Sequence, residues 1–187
     1  MIIGITGTLG AGKGTVVEYL AKEKGFKHYA ISDTFLAGEA VRRGLTPDRP
    51  TRRDIANEYR AKGPTKLIEA GYEAVLPSIE AGENVVIDPQ HTVAEVEFIK
   101  SKGGVVFAVD ADLKTRYERI QKRASAKDAI SFEKFKEEQE REMASDDPNK
   151  NNLGAAIQKA DVHLTNNGTQ EELFAQVEAA LAKYSQK

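Results

Sequence analysis

At 187 residues the chain is long enough to bury one α/β core and too short for two ordinary domains, and its lack of cysteine excludes disulfides, zinc-thiolate centres and thiol nucleophiles. Its 27 basic and 29 acidic residues leave a net charge of -2, which gives no support to a broad nucleic-acid surface. No apolar run approaches the roughly 20 residues of a membrane span, and the first residues enter an apolar run at once, so the expectation is a cytoplasmic protein without processing.

In chain order, short apolar runs at 2–6, 27–31 (KHYAI), 84–87 (NVVI), 104–109 (GVVFAV) and 162–165 (VHLT) alternate with longer stretches of helical periodicity. That alternation predicts an α/β chain, a parallel sheet with helices on both faces. Two stretches stand outside it. Residues 34–80 hold two or three helices between the second and third runs, and 125–152 is a highly charged helical excursion; these are the places for a substrate-binding region and a lid.

The first run leads into the most specific signal, IIGITGTLGAGKGTV over residues 2–16. Ile2, Ile3 and Ile5 read as a buried strand, and Gly7, Gly10, Gly12 and Gly14 free the backbone to turn its N–H groups onto phosphate oxygens. Lys13 supplies a point charge for the β and γ phosphates, and a helix from about Lys13 aims its positive end at the same anion. The phosphate-loop pattern runs from Gly7 to Lys13 with one departure: Gly14 stands at the hydroxyl position and Thr15 follows. A dinucleotide fingerprint does not fit, because Thr15 falls at its third glycine. An ordinary glycine-rich β-to-α turn is the plain alternative.

The second run ends at Ser32-Asp33, at the strand edge where open α/β sheets bind ligands; either residue could instead cap a helix from Thr34. Arg42, Arg43, Arg49, Arg52, Arg53 and Arg60 then crowd into nineteen residues. A phosphate monoester needs two or three such forked donors, although a solvated charged surface is the commoner fate of such a run. Asp88 closes the third run, where an acid can order magnesium directly or through water, or simply begin a turn with Pro89. His91 could contact a phosphate or base with a charge that varies around neutral pH.

After the fourth run, KTRYERIQKR at 114–123 places Arg116, Arg119 and Arg123 on one helical face, suited to a transferring phosphoryl group or to surface salt bridges. A charged amphipathic helix over 131–144, capped by Ser131, carries Phe132 and Phe135 on one side. Past the fifth run, Asn166-Asn167-Gly168 forms a turn before a helix capped by Thr169. Asn149-Lys150-Asn151-Asn152 lacks the terminal acid of a guanine-reading signature, which favours ATP over GTP.

Taken in order, Gly7 to Thr15, Ser32-Asp33, Thr51-Arg52 through Asn57 and Arg60, Val86-Ile87-Asp88, Glu95-Val96-Glu97, Val109-Asp110-Ala111, Arg116 to Arg123 and Thr165 to Gly168 resemble the nucleoside monophosphate kinases and dephospho-coenzyme A kinases, and most closely a group of small archaeal and bacterial adenylate-kinase-related proteins. Gly-Lys-Gly-Thr is the form of the loop in adenylate kinases. The resemblance implies a three-layer P-loop NTPase fold with five parallel strands in the order 2-3-1-4-5. Its core would be 1–33, 81–124 and 153–187, its acceptor-binding helices 34–80 and its lid 125–152. It implies ATP held by Gly10, Ala11, Gly12, Lys13, Gly14, Thr15, Arg119, Asn167 and Gly168, and an acceptor held by Asp33, Arg52, Asn57, Arg60, Asp88 and His91. Lys13, Asp33, Arg119 and Arg123 would carry catalysis, Thr15, Asp33 and Asp88 would hold magnesium directly or through water, and Arg141 would swing in with the lid. The implied activity is phosphoryl transfer from ATP to a nucleoside or deoxynucleoside monophosphate, with dephospho-coenzyme A as the alternative acceptor and a non-kinase regulator or residual ATPase as the further alternative. Leu36 and His91 stand where relatives commonly have arginines. No membrane or nucleic-acid polymer is expected as a partner, and the chain would be a monomer or homodimer.

Overall fold

The computed structural model describes residues 1–123, 131–143 and 152–185. Five parallel strands, β1 (Ile2–Gly7), β2 (Lys27–Ala30), β3 (Val85–Asp88), β4 (Val105–Asp110) and β5 (Val162–Thr165), lie in the order β2-β3-β1-β4-β5. β1 is central, paired to β3 from Ile2↔Val85 and to β4 from Ile3↔Val105, and all of its residues are buried. That is why its run is continuously apolar rather than alternating. Ile3 and Ile5 enter a core with Val16, Leu20, Phe107, Leu164 and Val177, against α1 (Lys13–Lys24) and α9 (Gln170–Tyr184). Ile2, Ile87 and Val106 enter the opposite core with Ile55, Ile68 and Ile99, against α3 (Arg49–Ala61), α4 (Lys66–Glu80) and α5 (Val93–Ser101). Each of these side chains contributes about 1.5–3 kcal/mol by leaving water.

β2 stops one residue early. Ile31 opens a π-helical turn, Ile31–Leu36, that runs into α2 (Ala37–Arg42), and its buried side chain packs in the second core. No side chain caps the turn or α2, so Ser32 and Asp33 do not act as helix caps. The carboxylate of Asp48 does cap α3, accepting from the Thr51 N–H at 2.9 Å.

α6 (Leu113–Arg123) follows β4, and α7 (Phe132–Met143) begins as expected, with Ser131 Oγ accepting from the Lys134 N–H at 3.2 Å. α8 (Leu153–Lys159) leads back to β5, and Thr169 and Glu172 form a reciprocal capping box at α9. Most of the expected lid outside α7, including Asn149-Lys150-Asn151, lies outside the described residues, as does the side chain of Arg123. Among the described residues no helix is long and apolar enough to cross a membrane.

Candidate active site

The glycine loop closes over the carboxyl end of β1. Gly7 has φ 140°, and a Cβ there would lie 2.0 Å from the Val109 carbonyl oxygen; at Gly12, with φ 103°, a Cβ would lie 2.3 Å from Asn166 Nδ2. Both positions therefore require glycine. α1 follows Gly12 without a side-chain cap and without an acid in its first turn, so no side chain of its own neutralises the positive end of the helix.

Lys13 Nζ donates to the carbonyls of Gly7 at 2.7 Å and Thr8 at 3.0 Å. Burial pushes its pKa down to about 8, against the opposing pull of Asp88, Glu142 and Asp110. Below pH 8 the ammonium is charged and ready for phosphate. Above it, binding a triphosphate must return a proton to the lysine, so ATP affinity is expected to fall by about tenfold per pH unit. Fold stability should move the other way, rising between pH 8 and the ordinary lysine value of 10.5, where the unfolded chain holds the proton that the folded one has lost. Calorimetric ATP titrations in two buffers of different ionisation heat would count the proton taken up; uptake unchanged across pH 8 would contradict the burial of this ammonium.

The loop is fastened from behind. Thr8 Oγ1 donates to Asp110 Oδ1 at 2.5 Å, Asn166 Nδ2 donates to the Ala11 carbonyl at 2.7 Å, and Arg119 reaches the same carbonyl at 3.5 Å and Asn166 Oδ1 at 3.3 Å. Gly12, Thr15, Arg119, Asn166 and Gly168 line one depression beside the loop. Asn166, unremarked among the expected ATP contacts, is the buried member of its turn, whereas the Asn167 side chain accepts from the Asp112 N–H at 2.8 Å. Gly10 and Gly14 contribute backbone only, whereas the Ala11 methyl is buried in the core with Val16 and Leu20.

On the other side of Lys13 lies a cavity of about 170 Å³. It brings Lys13, Arg52, Arg60 and His91 together and adds Arg49 and Arg53, with Ile31, Leu36, Leu67 and Leu153 as apolar wall. Leu36 thus fills with hydrocarbon the place expected for an arginine. Asn57 is not part of the wall. Asp33 is 77% exposed and pairs with Arg52 NH1 rather than facing Lys13. Among the described residues Arg52 Nε is nevertheless a buried donor with no partner. Arg60 and Glu95 form a buried ion pair, 2.8 Å long with both side chains at most 3% exposed, and the second oxygen of Glu95 accepts the N–H groups of His91 at 2.7 Å and Thr92 at 3.2 Å. Sequence reasoning gave Glu95 no role in fixing the wall.

The expected titration of His91 near neutrality does not hold: burial, then the nearby charges of Arg60, Lys13 and Arg49, push its pKa down to about 3, so the ring is neutral. Asp88 sits at the carboxyl end of β3, 2.5 Å from His28 Nε2. Its charge is the largest of those favouring the Lys13 ammonium. Arg141 is exposed on α7, while its neighbour Glu142 enters the cavity wall.

A glycine loop on the central strand of a 2-3-1-4-5 sheet, its lysine facing a cavity covered by inserted helices, defines a P-loop protein of kinase-like fold. Residues 3–165 match the model of a family described as an AAA domain. The chain is 35% identical over 140 residues to a UPF0200 protein of Pyrobaculum aerophilum, covering 72% of each, and 30% identical over 189 residues to a UPF0200 protein of Methanothermobacter thermautotrophicus, covering 100% of this chain and 92% of that one. The chain belongs to this AAA-domain family and to the UPF0200 proteins. Among solved structures it is similar in fold to a shikimate kinase from Aquifex aeolicus (TM-score 0.58, 18% identity, 99% of this chain and 98% of that one) and to a dephospho-CoA kinase from Campylobacter jejuni (TM-score 0.56, 16% identity, 99% and 97%).

Proposed function

We infer that the chain transfers the γ-phosphoryl group of ATP to a nucleoside or deoxynucleoside monophosphate. The observation that carries this reading is the single cavity in which Lys13 meets Arg49, Arg52 and Arg53 beside an apolar wall. A phosphate with a ring attached answers both halves of that lining. Among the described residues the cavity wall contains one acid, Glu142, and it is engaged by Arg49. A phosphate oxygen is already an anionic nucleophile and needs no base, whereas a hydroxyl acceptor such as dephospho-coenzyme A needs one.

In this reading Lys13 and the N–H groups from Gly10 to Thr15 hold the β and γ phosphates, and Arg119, beside Ala11, faces the transferring group. Asn167 and Gly168 border the base of the donor. The Arg52 fork grips the acceptor phosphate, with Arg60 and Asn57 behind it and His91 as a neutral hydrogen-bonding partner. α2 to α4 enclose the acceptor, and the lid carries Arg141 toward the phosphates on closure. Among the described residues no three acids or histidines converge on one point. That suits magnesium, which keeps much of its water and binds substrate phosphates; the Thr15 hydroxyl and Asp88 would hold it, with Asp33 once released from Arg52. When bound, the ion neutralises charge that develops between the β and γ oxygens.

The test is ADP release with ATP and magnesium against a panel of ribo- and deoxyribonucleoside monophosphates and dephospho-coenzyme A, with products confirmed by mass. Stimulation by a monophosphate supports the reading, and stimulation by dephospho-coenzyme A alone replaces it. Leu36, standing where a gripping arginine was expected, favours a second reading as a nucleotide-binding regulator; silence across the panel with ATP binding intact would select it. In an active enzyme Arg52→Gln should raise the acceptor KM by about tenfold or more, the worth of a charge-assisted hydrogen bond, while ATP affinity stays within about twofold. An unchanged acceptor KM would remove Arg52 from the acceptor site.

A further inference from the structure

α7 carries an acid into the cavity. Phe135, Gln139 and Glu142 share one helical face, at spacings of four and three. Phe135 is buried against Tyr117, and Gln139 Oε1 accepts from Arg116, so the helix is fastened to α6 by contacts that do not use Glu142. At the end of this face Glu142, 29% exposed, accepts from Arg49 NH2 at 3.3 Å. Its charge also acts on Lys13, second only to Asp88 among the acids. The cavity therefore supplies one negative charge of its own to Lys13 and Arg49.

The other wall arginines meet carboxylates too: Arg52 meets Asp33, Arg53 meets Asp54 at 3.6 Å, and Arg60 meets Glu95. These pairs differ in how firmly the acid is held. Glu95 is buried and fixed by two N–H groups besides Arg60, whereas among the described residues Glu142 has one long contact, at the end of a helix that is anchored elsewhere. A partly exposed pair of that kind is weakly held. The unpartnered Nε of Arg52 on the same wall leaves a buried donor ready for a further anionic oxygen.

We propose that the acceptor's phosphate, gripped by the Arg52 fork, also takes Arg49 beside Lys13, at the place the Glu142 carboxylate holds against Arg49, so that Glu142 is an internal competitor displaced as the acceptor enters. This rests on reading the cavity as the acceptor site. A phosphate monoester carries close to two charges at neutral pH and three strong acceptor oxygens, so it replaces one carboxylate with a net gain of attraction and releases Arg49 for a forked contact. Glu142 meets Arg49 by contact and Lys13 by charge, and gives way only to a stronger anion.

The test uses the full chain with its loop filled by a non-hydrolysable ATP analogue, titrated with inorganic phosphate and read by calorimetry and by the shift in thermal midpoint. Glu142→Gln keeps the shape and removes the charge; it is expected to bind phosphate about five- to tenfold more tightly. Destabilisation would not produce a gain of affinity. Glu142→Asp, too short to reach Arg49, should gain in the same direction. Glu140→Gln removes the same charge from an exposed position paired with Lys136 and should change nothing. Phosphate affinity unchanged or weakened in Glu142→Gln, or an equal gain in Glu140→Gln, overturns the proposal. Because the readout is phosphate binding, it stands or falls separately from turnover: a silent acceptor panel with the gain present would sink the kinase reading alone.

Discussion

Lys13→Ala is expected to raise the Kd for ATP on the order of a hundredfold, the equivalent of about 3 kcal/mol for a charged donor shared between two phosphate oxygens. The same side chain now donates to the carbonyls of Gly7 and Thr8, so its removal also releases the loop's inner hydrogen bonds. Fold loss is not expected, because the core beneath the loop is made by Ile3, Ile5, Val16 and Leu20, none of which the lysine supports. Equilibrium binding of a fluorescent ATP analogue, with circular dichroism to confirm the fold, checks it. Near-parental affinity would mean that the triphosphate does not sit on this loop.

Arg60→Ala is expected to destabilise the protein by about 3–5 kcal/mol, because Glu95 would be left as a buried charge held by backbone N–H groups alone. In a chain of this size that lowers the thermal midpoint by about 10 °C. Arg60→Lys, which keeps the charge but loses the fork, should fall between the two. A midpoint unchanged in Arg60→Ala would show that the pair does not hold the wall. The consequence for the site is practical: lost acceptor use in Arg60→Ala would report the fall of the wall that positions His91, so Arg52 is the arginine on which acceptor contact is tested.

The sheet was legible because each strand is a short apolar run bounded by turn residues, and the loop because its glycines are forced by backbone positions close in sequence. The lost end of β2 was not, since Ile31 reads as strand by propensity and is claimed by tertiary packing. Asn166 meets Ala11 across 155 residues, and Arg60 meets Glu95 across 35, pairings that no local pattern encodes. The neutrality of His91 arises first from burial and then from cations gathered out of α1 and α3, so its own neighbours in sequence could not announce it. Glu142 was within reach: it lies seven residues from Phe135, hence on the same face, whereas Arg141 lies six away and falls off it. Counting from the buried phenylalanine picks the inward residue. Choosing by charge alone picks its neighbour.

Arg116 joins parts of the molecule that are otherwise described separately. Its buried guanidinium donates to the Leu9 carbonyl in the phosphate loop, to the Ala111 carbonyl after β4 and to Gln139 on α7. Loop and helix therefore share one guanidinium as a common tie, buried at its Gln139 end and part-buried, at 3.4 Å, at its Leu9 end. Moving the loop without moving α7 would break one of these hydrogen bonds, so the phosphate loop and the helix that carries Glu142 are tied through one side chain.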